Sequence, residues 1–161
     1  MSSNSVSTCP HVAALDVDAY RAEDLLREAA RRAAGFCDHD PEVIYRALAR
    51  REQAASTALG AGVAIPHARI DGIDHRVTLL LRTRSAIDFR APDHKPVALF
   101  YVILVPRDGD PQDHLDFLAR VSAALNDAGL RHRLATAGSP DSAKLAFVTR
   151  EDSLAADESP L

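Results

Sequence analysis

The chain has 161 residues, a formal net charge of −4, and 47% hydrophobic against 26% charged residues, which is typical of one soluble globular domain. The acidic balance excludes nucleic-acid binding through a broad basic surface, so no nucleic-acid partner is expected. Two cysteines without CxxC spacing exclude a disulfide scaffold and favour a reducing, cytoplasmic location.

The two ends and the longest apolar run define the predicted domain organisation. Residues 1–10 are serine-rich without a secretory apolar segment, and residues 151–161 are acidic, so both are predicted to be flexible tails. Residues 11–150 are predicted to form a single domain. The longest apolar run, 97–105, is far shorter than the roughly 18 residues of a membrane helix, so no membrane insertion is expected.

The first half of the chain predicts two helices. Residues 20–35 are rich in helix formers, and Gly35 is a plausible C-terminal stop. A second helix is predicted to begin with Asp40 as N-cap and Pro41 at the first helical position, and to end at about residues 51–53. The apolar faces predicted for the two helices are Leu25, Leu26, Ala29, Ala33 and Phe36, and then Val43, Ile44, Ala47 and Leu48.

Strands and further helices are predicted after residue 60. Residues 62–66, 75–84 and 97–105 predict strands, and the last is apolar throughout, as in a central strand covered on both faces. Asp110 and Pro111 predict the start of a helix with Leu115, Leu118, Ala119, Ser122 and Leu125 facing inward. Shorter helical pieces follow at 128–137 and 141–147. The predicted fold is a three-layer α/β/α sandwich with a central mixed sheet of about five strands.

Several ordered motifs carry a family resemblance. The window 51–69 holds Arg51-Glu52, Ser56-Thr57, two spaced glycines and Ala-Ile-Pro-His ending at His67. Residues 87–106 and 112–127 continue the similarity in order. Over about residues 20–148 the chain resembles the IIA domain of the bacterial phosphoenolpyruvate-dependent phosphotransferase system, in its mannitol/fructose class (EIIA type 2).

The resemblance implies that His67 accepts a phosphoryl group from an HPr-type phosphocarrier protein and passes it to a cysteine of a IIB domain. It also places Arg51 in the active site and His114 close to the phosphorylated histidine. The chemistry is reasonable, since a neutral imidazole is a nucleophile near pH 7 and its phosphoramidate is labile. An arginine can hold phosphate oxygens bidentately, and a helix N-terminus, where His114 is predicted, favours an anion.

Other residues receive secondary roles or a structural alternative. Glu52, Ser56 and Thr57 are candidates for supporting the phosphate site, as hydrogen-bond donors or as an orienting carboxylate. Arg69 is a weaker candidate for positive potential beside His67. Arg51 could instead interact only with a helix C-terminus, His114 could be a simple helix N-terminal residue, and the two hydroxyls could be ordinary turn caps. The remaining histidines show no metal-ligand spacing, so neither a metal nor a cofactor is expected.

Two functions remain open. The 161 residues contain no IIB or IIC domain, and so resemble the stand-alone nitrogen-regulatory branch of the system, in which phosphorylation controls the binding of a regulated kinase or channel. The alternative is a sugar-specific IIA of the fructose/mannitol type that donates to a separate IIB cysteine. Neither the sugar nor the oligomeric state can be inferred from the sequence.

Overall fold

The structure is a computed structural model that describes residues 6–158. Its strands and helices follow in chain order as β1 (Val12–Val17), α1 (Ala22–Cys37), α2 (Pro41–Ala54), β2 (Ala58–Gly60), β3 (Val63–Ala64), β4 (His67–Ile70), β5 (Val77–Ile87), β6 (Val97–Pro106), α3 (Pro111–Leu125), α4 (Ala128–Thr136) and α5 (Pro140–Glu158). None of the helices in this range is long and apolar enough to cross a membrane.

β6 lies at the centre of a mixed sheet. It runs antiparallel to β5 and parallel to both β3 and β4, which follow each other along the same side of β6. β1 pairs with β5 and β2 pairs with β3, which gives the order β1-β5-β6-β3-β2. The predicted mixed sheet is confirmed, with six strands rather than about five.

The side chains of β6 alternate between two hydrophobic cores. Phe100, Val102 and Leu104 enter the core that includes buried residues of α1 and α2. The intervening side chains, including Tyr101 and Ile103, enter the core formed with α3, α4 and α5. Because both faces of the central strand are covered, its continuous apolar run is explained and the predicted three-layer sandwich is confirmed.

The predicted strand at 62–66 is interrupted, and this interruption positions the candidate nucleophile. β3 ends at Ala64, and pairing with β6 resumes in β4, which begins at His67. Between them Ile65 donates its backbone N–H to the Thr57 carbonyl at 3.0 Å, and Pro66 has no N–H to donate. Regular strand pairing therefore stops just before His67, although the Pro66 carbonyl still accepts a 2.9 Å hydrogen bond from the Ile103 N–H of β6.

The predicted starts of α2 and α3 are confirmed. Asp40 and Asp110 are the N-caps, each accepting a hydrogen bond from the backbone N–H two residues on, and Pro41 and Pro111 occupy the first helical positions. α1 differs at its end: it continues past Gly35 to Cys37 and stops where Asp38 adopts a left-handed conformation.

The predicted inward face of α3 is wrong in part. Leu115 is 57% exposed and Ala119 is also exposed, whereas the buried residues are Phe117, Val121, Ala124 and Leu125. The large Phe117 ring sets the rotation of the helix, because it fills the core against which α3 packs. Phe36 and Val43 are likewise exposed rather than buried on α1 and α2.

The described parts of the predicted tails contact each other. α5 runs through residues 151–158 to Glu158, and the Glu151 carboxylate accepts hydrogen bonds from Ser7 and Thr8. The carbonyl of Thr8 also accepts a 2.6 Å hydrogen bond from the buried Tyr101 hydroxyl. These contacts join residues that are 93 to 144 positions apart in sequence, so composition alone could not reveal them. Residues 1–5 and 159–161 of the predicted tails lie outside the described residues.

Candidate functional site

His67 is the first residue of β4 and is partly buried. Its Nδ1 lies 2.7 Å from the carbonyl oxygen of Ile65. A carbonyl can only accept a hydrogen bond, so Nδ1 must carry the ring proton. In the neutral ring the lone pair is therefore on Nε2, which is left for an incoming electrophile.

Ile65 is itself held, through its N–H, by a chain of hydrogen bonds that ends at a buried carboxylate. Ile65 donates its N–H to the Thr57 carbonyl. Thr57 donates its backbone N–H and its hydroxyl to the two oxygens of Glu52, at 2.9 and 2.6 Å. Glu52 is only 6% exposed, so these bonds form away from water, where leaving either donor unpaired is costly. The orientation of His67 thus depends on Glu52 through the backbone.

The three residues predicted to support a phosphate site do not line the surface next to His67. The Thr57 hydroxyl is used by Glu52, and the Ser56 hydroxyl donates to the Phe89 carbonyl at 2.8 Å while accepting from the Ala58 N–H. Their polar atoms hold the segment that precedes His67.

His114 lies beside His67, as the resemblance implied. It occupies the first turns of α3, and the two ring centroids are 5.7 Å apart at an interplanar angle of 54°. Its Nδ1 is buried and makes no hydrogen bond within residues 6–158. The break before β4 and the N-terminus of α3 therefore lie next to each other at this site.

The electrostatics of the site favour the neutral form of both rings. The pKa of His114 is lowered to about 4, mainly by burial and also by the neighbouring His67, Arg69 and Arg76. Burial also lowers the pKa of His67, the hydrogen bond to Ile65 raises it, Arg51 lowers it and Glu52 raises it. A neutral His67 retains the nucleophilic lone pair that a protonated imidazole would lack.

A groove of about 440 Å³ opens beside the two histidines, and we call it the arginine groove. Four of its lining residues are arginines and none is acidic; the complete lining is Ala47, Arg50, Arg51, Ala54, His67, Ala68, Arg69, Arg107 and His114. The arginines come from the last turns of α2, from β4 and from the residue after β6. This lining is suited to binding an anion next to a nucleophilic nitrogen.

Arg51 contacts the end of α2 and also lines the arginine groove. One guanidinium nitrogen donates to the Ala55 carbonyl at 2.9 Å and so satisfies the C-terminal end of α2. The side chain also lines the arginine groove with His67. The helix end holds the guanidinium in place, and its remaining donors are available for an anion.

Residues 9–147 match the family described as phosphoenolpyruvate-dependent sugar phosphotransferase system, EIIA 2. The chain belongs to this family. It is 37% identical over 100 residues to a nitrogen regulatory protein of Pseudomonas aeruginosa, covering 62% of this chain and 64% of that protein. It is 38% identical over 100 residues to a fructose-specific EIIA component of Haloferax volcanii, again covering 62% and 64%.

The fold supports the same assignment. The crystal structure of nitrogen regulatory protein IIA-Ntr from Neisseria meningitidis superposes with a TM-score of 0.79 at 31% identity, over 85% of this chain and 92% of that one. The alignments with the Pseudomonas and Haloferax relatives span just under two thirds of their lengths. Sequence reasoning therefore identified both the family and its fold class.

Two lining residues of the arginine groove were not singled out from the sequence. Arg50 precedes Arg51, and consecutive helix residues point about 100° apart, so the pair did not predict a shared surface. Arg107 follows β6, whose parallel pairing with β4 places Ile70 opposite Pro106. Within residues 6–158, no group of three or more His, Cys, Asp or Glu side chains is placed to hold a metal ion.

Proposed function

We propose that this protein is a cytoplasmic phosphoryl carrier that is phosphorylated on His67 by a phosphorylated HPr-type carrier. The observation that carries the proposal is the tautomer of His67. Its Nδ1 proton is held by Ile65, which leaves the Nε2 lone pair on a ring that lines a groove of four arginines. No separate base is needed, because the reacting nitrogen carries no proton.

In the transfer step the Nε2 lone pair attacks the phosphorus of the donor phosphohistidine. The new P–N bond forms as the donor P–N bond breaks, and that electron pair returns to the donor ring nitrogen. The Nδ1 proton stays in its hydrogen bond to Ile65. Arg51 and Arg69, both half-buried beside His67, stabilise charge on the transferring oxygens, and His114 donates a hydrogen bond to the phosphoryl group.

Glu52, Thr57 and Ser56 support this step by position rather than by contact. Their hydrogen bonds fix the segment that carries the Ile65 carbonyl, and that carbonyl fixes the His67 ring. A rigid support of this kind keeps the nucleophile aligned, since a shift of about 1 Å can slow a transfer reaction about 100-fold.

The regulatory output is the favoured role. The Pseudomonas and Neisseria relatives are both nitrogen regulatory proteins at more than 30% identity. Phosphorylation would add about −1.5 to −2 charges to a groove that is otherwise cationic. A partner such as a kinase or channel that binds one state of this surface would then be excluded by the other.

The second candidate is a sugar-specific IIA that passes its phosphoryl group to a separate IIB cysteine. The Haloferax relative, a fructose-specific EIIA component at 38% identity, favours this role. Both roles use the same chemistry on His67. They differ in whether phosphorylated His67 controls the binding of a partner or passes its phosphoryl group to a IIB cysteine.

The test is transfer of label from phosphoenolpyruvate through enzyme I and an HPr-type carrier. We expect an acid-labile label on the wild-type protein and none on His67→Ala, with His132→Ala on α4 as the matched control that remains labelled. Onward transfer to a IIB cysteine supports the sugar-specific role, and state-dependent capture of a kinase or channel supports regulation. Absence of label with cognate carriers contradicts the proposal.

A further inference from the structure

The charges of the arginine groove are mostly uncompensated by carboxylates of the described structure. Within the described residues, Arg107 alone among its four arginines has a carboxylate at ion-pair distance, with Nε 2.7 Å from Asp71. Arg51 and Arg69 donate only to backbone carbonyls, and Arg50 has no ion-pair partner in residues 6–158. On the outside of α1, by contrast, arginines pair with glutamates.

The four arginines form two pairs that differ in exposure. Arg51 and Arg69 are half-buried next to His67, and we call them the inner arginines. Arg50 and Arg107 are exposed, and we call them the outer arginines. One phosphoryl group carries at most two negative charges, which the inner arginines can balance. The outer arginines are then left for groups other than the phosphate.

The rim of the groove suits the side chains of a docked protein. Ala47, Ala54 and Ala68 are the only apolar lining residues, and their small side chains leave room for carboxylates to approach the guanidinium groups. The ion pair of Arg107 with Asp71 is open to water, with the two side chains 53% and 73% exposed, so an incoming carboxylate can replace Asp71 at little cost.

A nucleic acid fits the groove less well than an acidic protein. No lining residue is Phe, Tyr or Trp, so there is no aromatic platform on which bases could stack. The chain as a whole carries a net charge of −4, which opposes an extended polyanion but permits local contact with a few carboxylates.

We propose that the arginine groove docks a phosphocarrier whose contact face bears carboxylates around its phosphohistidine, and that Arg50 and Arg107 receive those carboxylates. The proposal rests on the proposed function and specifies the charge of its partner. The outer arginines then determine which carrier associates, and the inner arginines serve the transferred group.

The test measures the second-order rate of phosphoryl transfer from the HPr-type carrier encoded in the same genome, between about 25 and about 400 mM NaCl. We expect the wild-type rate to fall at least about tenfold over this range, because opposite charges steer association. Arg50→Glu and Arg107→Glu should each slow transfer about tenfold at low salt and flatten its salt dependence. Arg133 is an exposed arginine on α4. Arg133→Glu is the charge-matched control, and it should change neither the transfer rate nor its salt dependence.

A small phosphoryl donor separates docking from chemistry. Phosphoramidate presents its phosphoryl group without a protein face, so Arg50→Glu should lower the carrier rate far more than the phosphoramidate rate. The docking proposal would be overturned if the wild-type rate rises with salt. It would also be overturned if Arg50→Glu and Arg107→Glu accept the phosphoryl group from the carrier as fast as Arg133→Glu does, while His67 still reacts. Failure with both donors would remove the proposed function and the docking proposal together.

Two further measurements test the stability of the variants and a nucleic-acid ligand. Thermal melts of Arg50→Gln and Arg50→Glu should match the wild type, since Arg50 has no ion-pair partner to lose in the described structure. A single-stranded oligonucleotide of about 20 nucleotides should not slow carrier transfer at micromolar concentration. Strong inhibition by the oligonucleotide would assign the groove to nucleic acid and overturn the acidic-protein partner.

Discussion

Arginines on the outer face of α1 and arginines in the groove beside His67 have opposite surroundings. Arg32 lies 2.7 Å from Glu28, and Arg27 contacts both Glu23 and Glu42. Arg51 and Arg69 have no carboxylate at ion-pair distance within residues 6–158. An ordinary surface balances its charges internally at little net energy, whereas a site leaves its charges for a ligand. The two regions therefore differ in whether a carboxylate of the same molecule balances the arginine charge.

Replacing one arginine of each region by alanine should give the largest difference in the rate of phosphoryl transfer. Arg51→Ala removes a cation next to the transferring group, so phosphoryl transfer to His67 should slow by about 10²–10³-fold, and Arg51→Lys should recover part of the loss. Arg31→Ala on α1 should leave the rate unchanged and lower stability by less than about 1 kcal/mol. Rapid-quench labelling and chemical denaturation measure the two effects. Equal rates for the two alanine variants would erase the distinction between the regions.

The same comparison can be made for a carboxylate. Glu52 accepts two hydrogen bonds from Thr57, whereas the glutamates of α1 pair with arginines. Glu52→Ala leaves two buried donors unpaired, which should cost about 2–3 kcal/mol of unfolding free energy and slow transfer about tenfold as the Ile65 carbonyl loses its support.

The conservative variant Glu52→Gln keeps an acceptor for Thr57 and should recover most of the rate. Its effect separates positioning from charge, and the ¹⁵N chemical shifts of the His67 ring provide a second readout of the Nδ1–H tautomer. An alanine variant with a normal rate and an unchanged ring spectrum would show that Glu52 does not position His67.

The burial of His114 should also make the unfolding free energy depend on pH, and this effect should be smaller than those of the Arg51 and Glu52 variants. The pKa of His114 falls from about 6.5 in the unfolded chain to about 4 in the folded one. Between these values the unfolded state binds more protons, so the unfolding free energy should decrease as the pH falls from 7 towards 4. His114→Asn should reduce this decrease, and the exposed His132→Asn should not. Melting temperatures at several pH values test this, and identical pH profiles for the wild type and His114→Asn would contradict it.

Local signals in the sequence located the two helices that contribute Arg51 and His114 to the site. The Asp-Pro pairs at 40–41 and 110–111 set the starts of α2 and α3, and so placed Arg51 in a last turn and His114 in a first turn. The resemblance then connected both to His67. These features depend on neighbouring residues, and a single sequence is sufficient to read them.

The remaining features depend on contacts between distant segments. The roles of Thr57 and Glu52 follow from a hydrogen bond between Thr57 and Ile65 that exists only once the chain turns back. β1 was not predicted, because its short sequence contains Asp16 in a left-handed conformation and the parallel partner β5 is more than 60 residues away. Arg107 reaches the groove through the pairing of β4 with β6, and Arg50 reaches it because α2 packs against β4.

The central claim is that His67 accepts the phosphoryl group on Nε2 while Nδ1 keeps its proton against the Ile65 carbonyl. Long-range ¹H–¹⁵N spectra of the ¹⁵N-histidine protein, recorded before and after phosphorylation, test it directly. We expect phosphorus coupling at Nε2 of His67 and a persistent Nδ1–H signal in both states. Phosphorylation at Nδ1, or at any other residue, would contradict the mechanism.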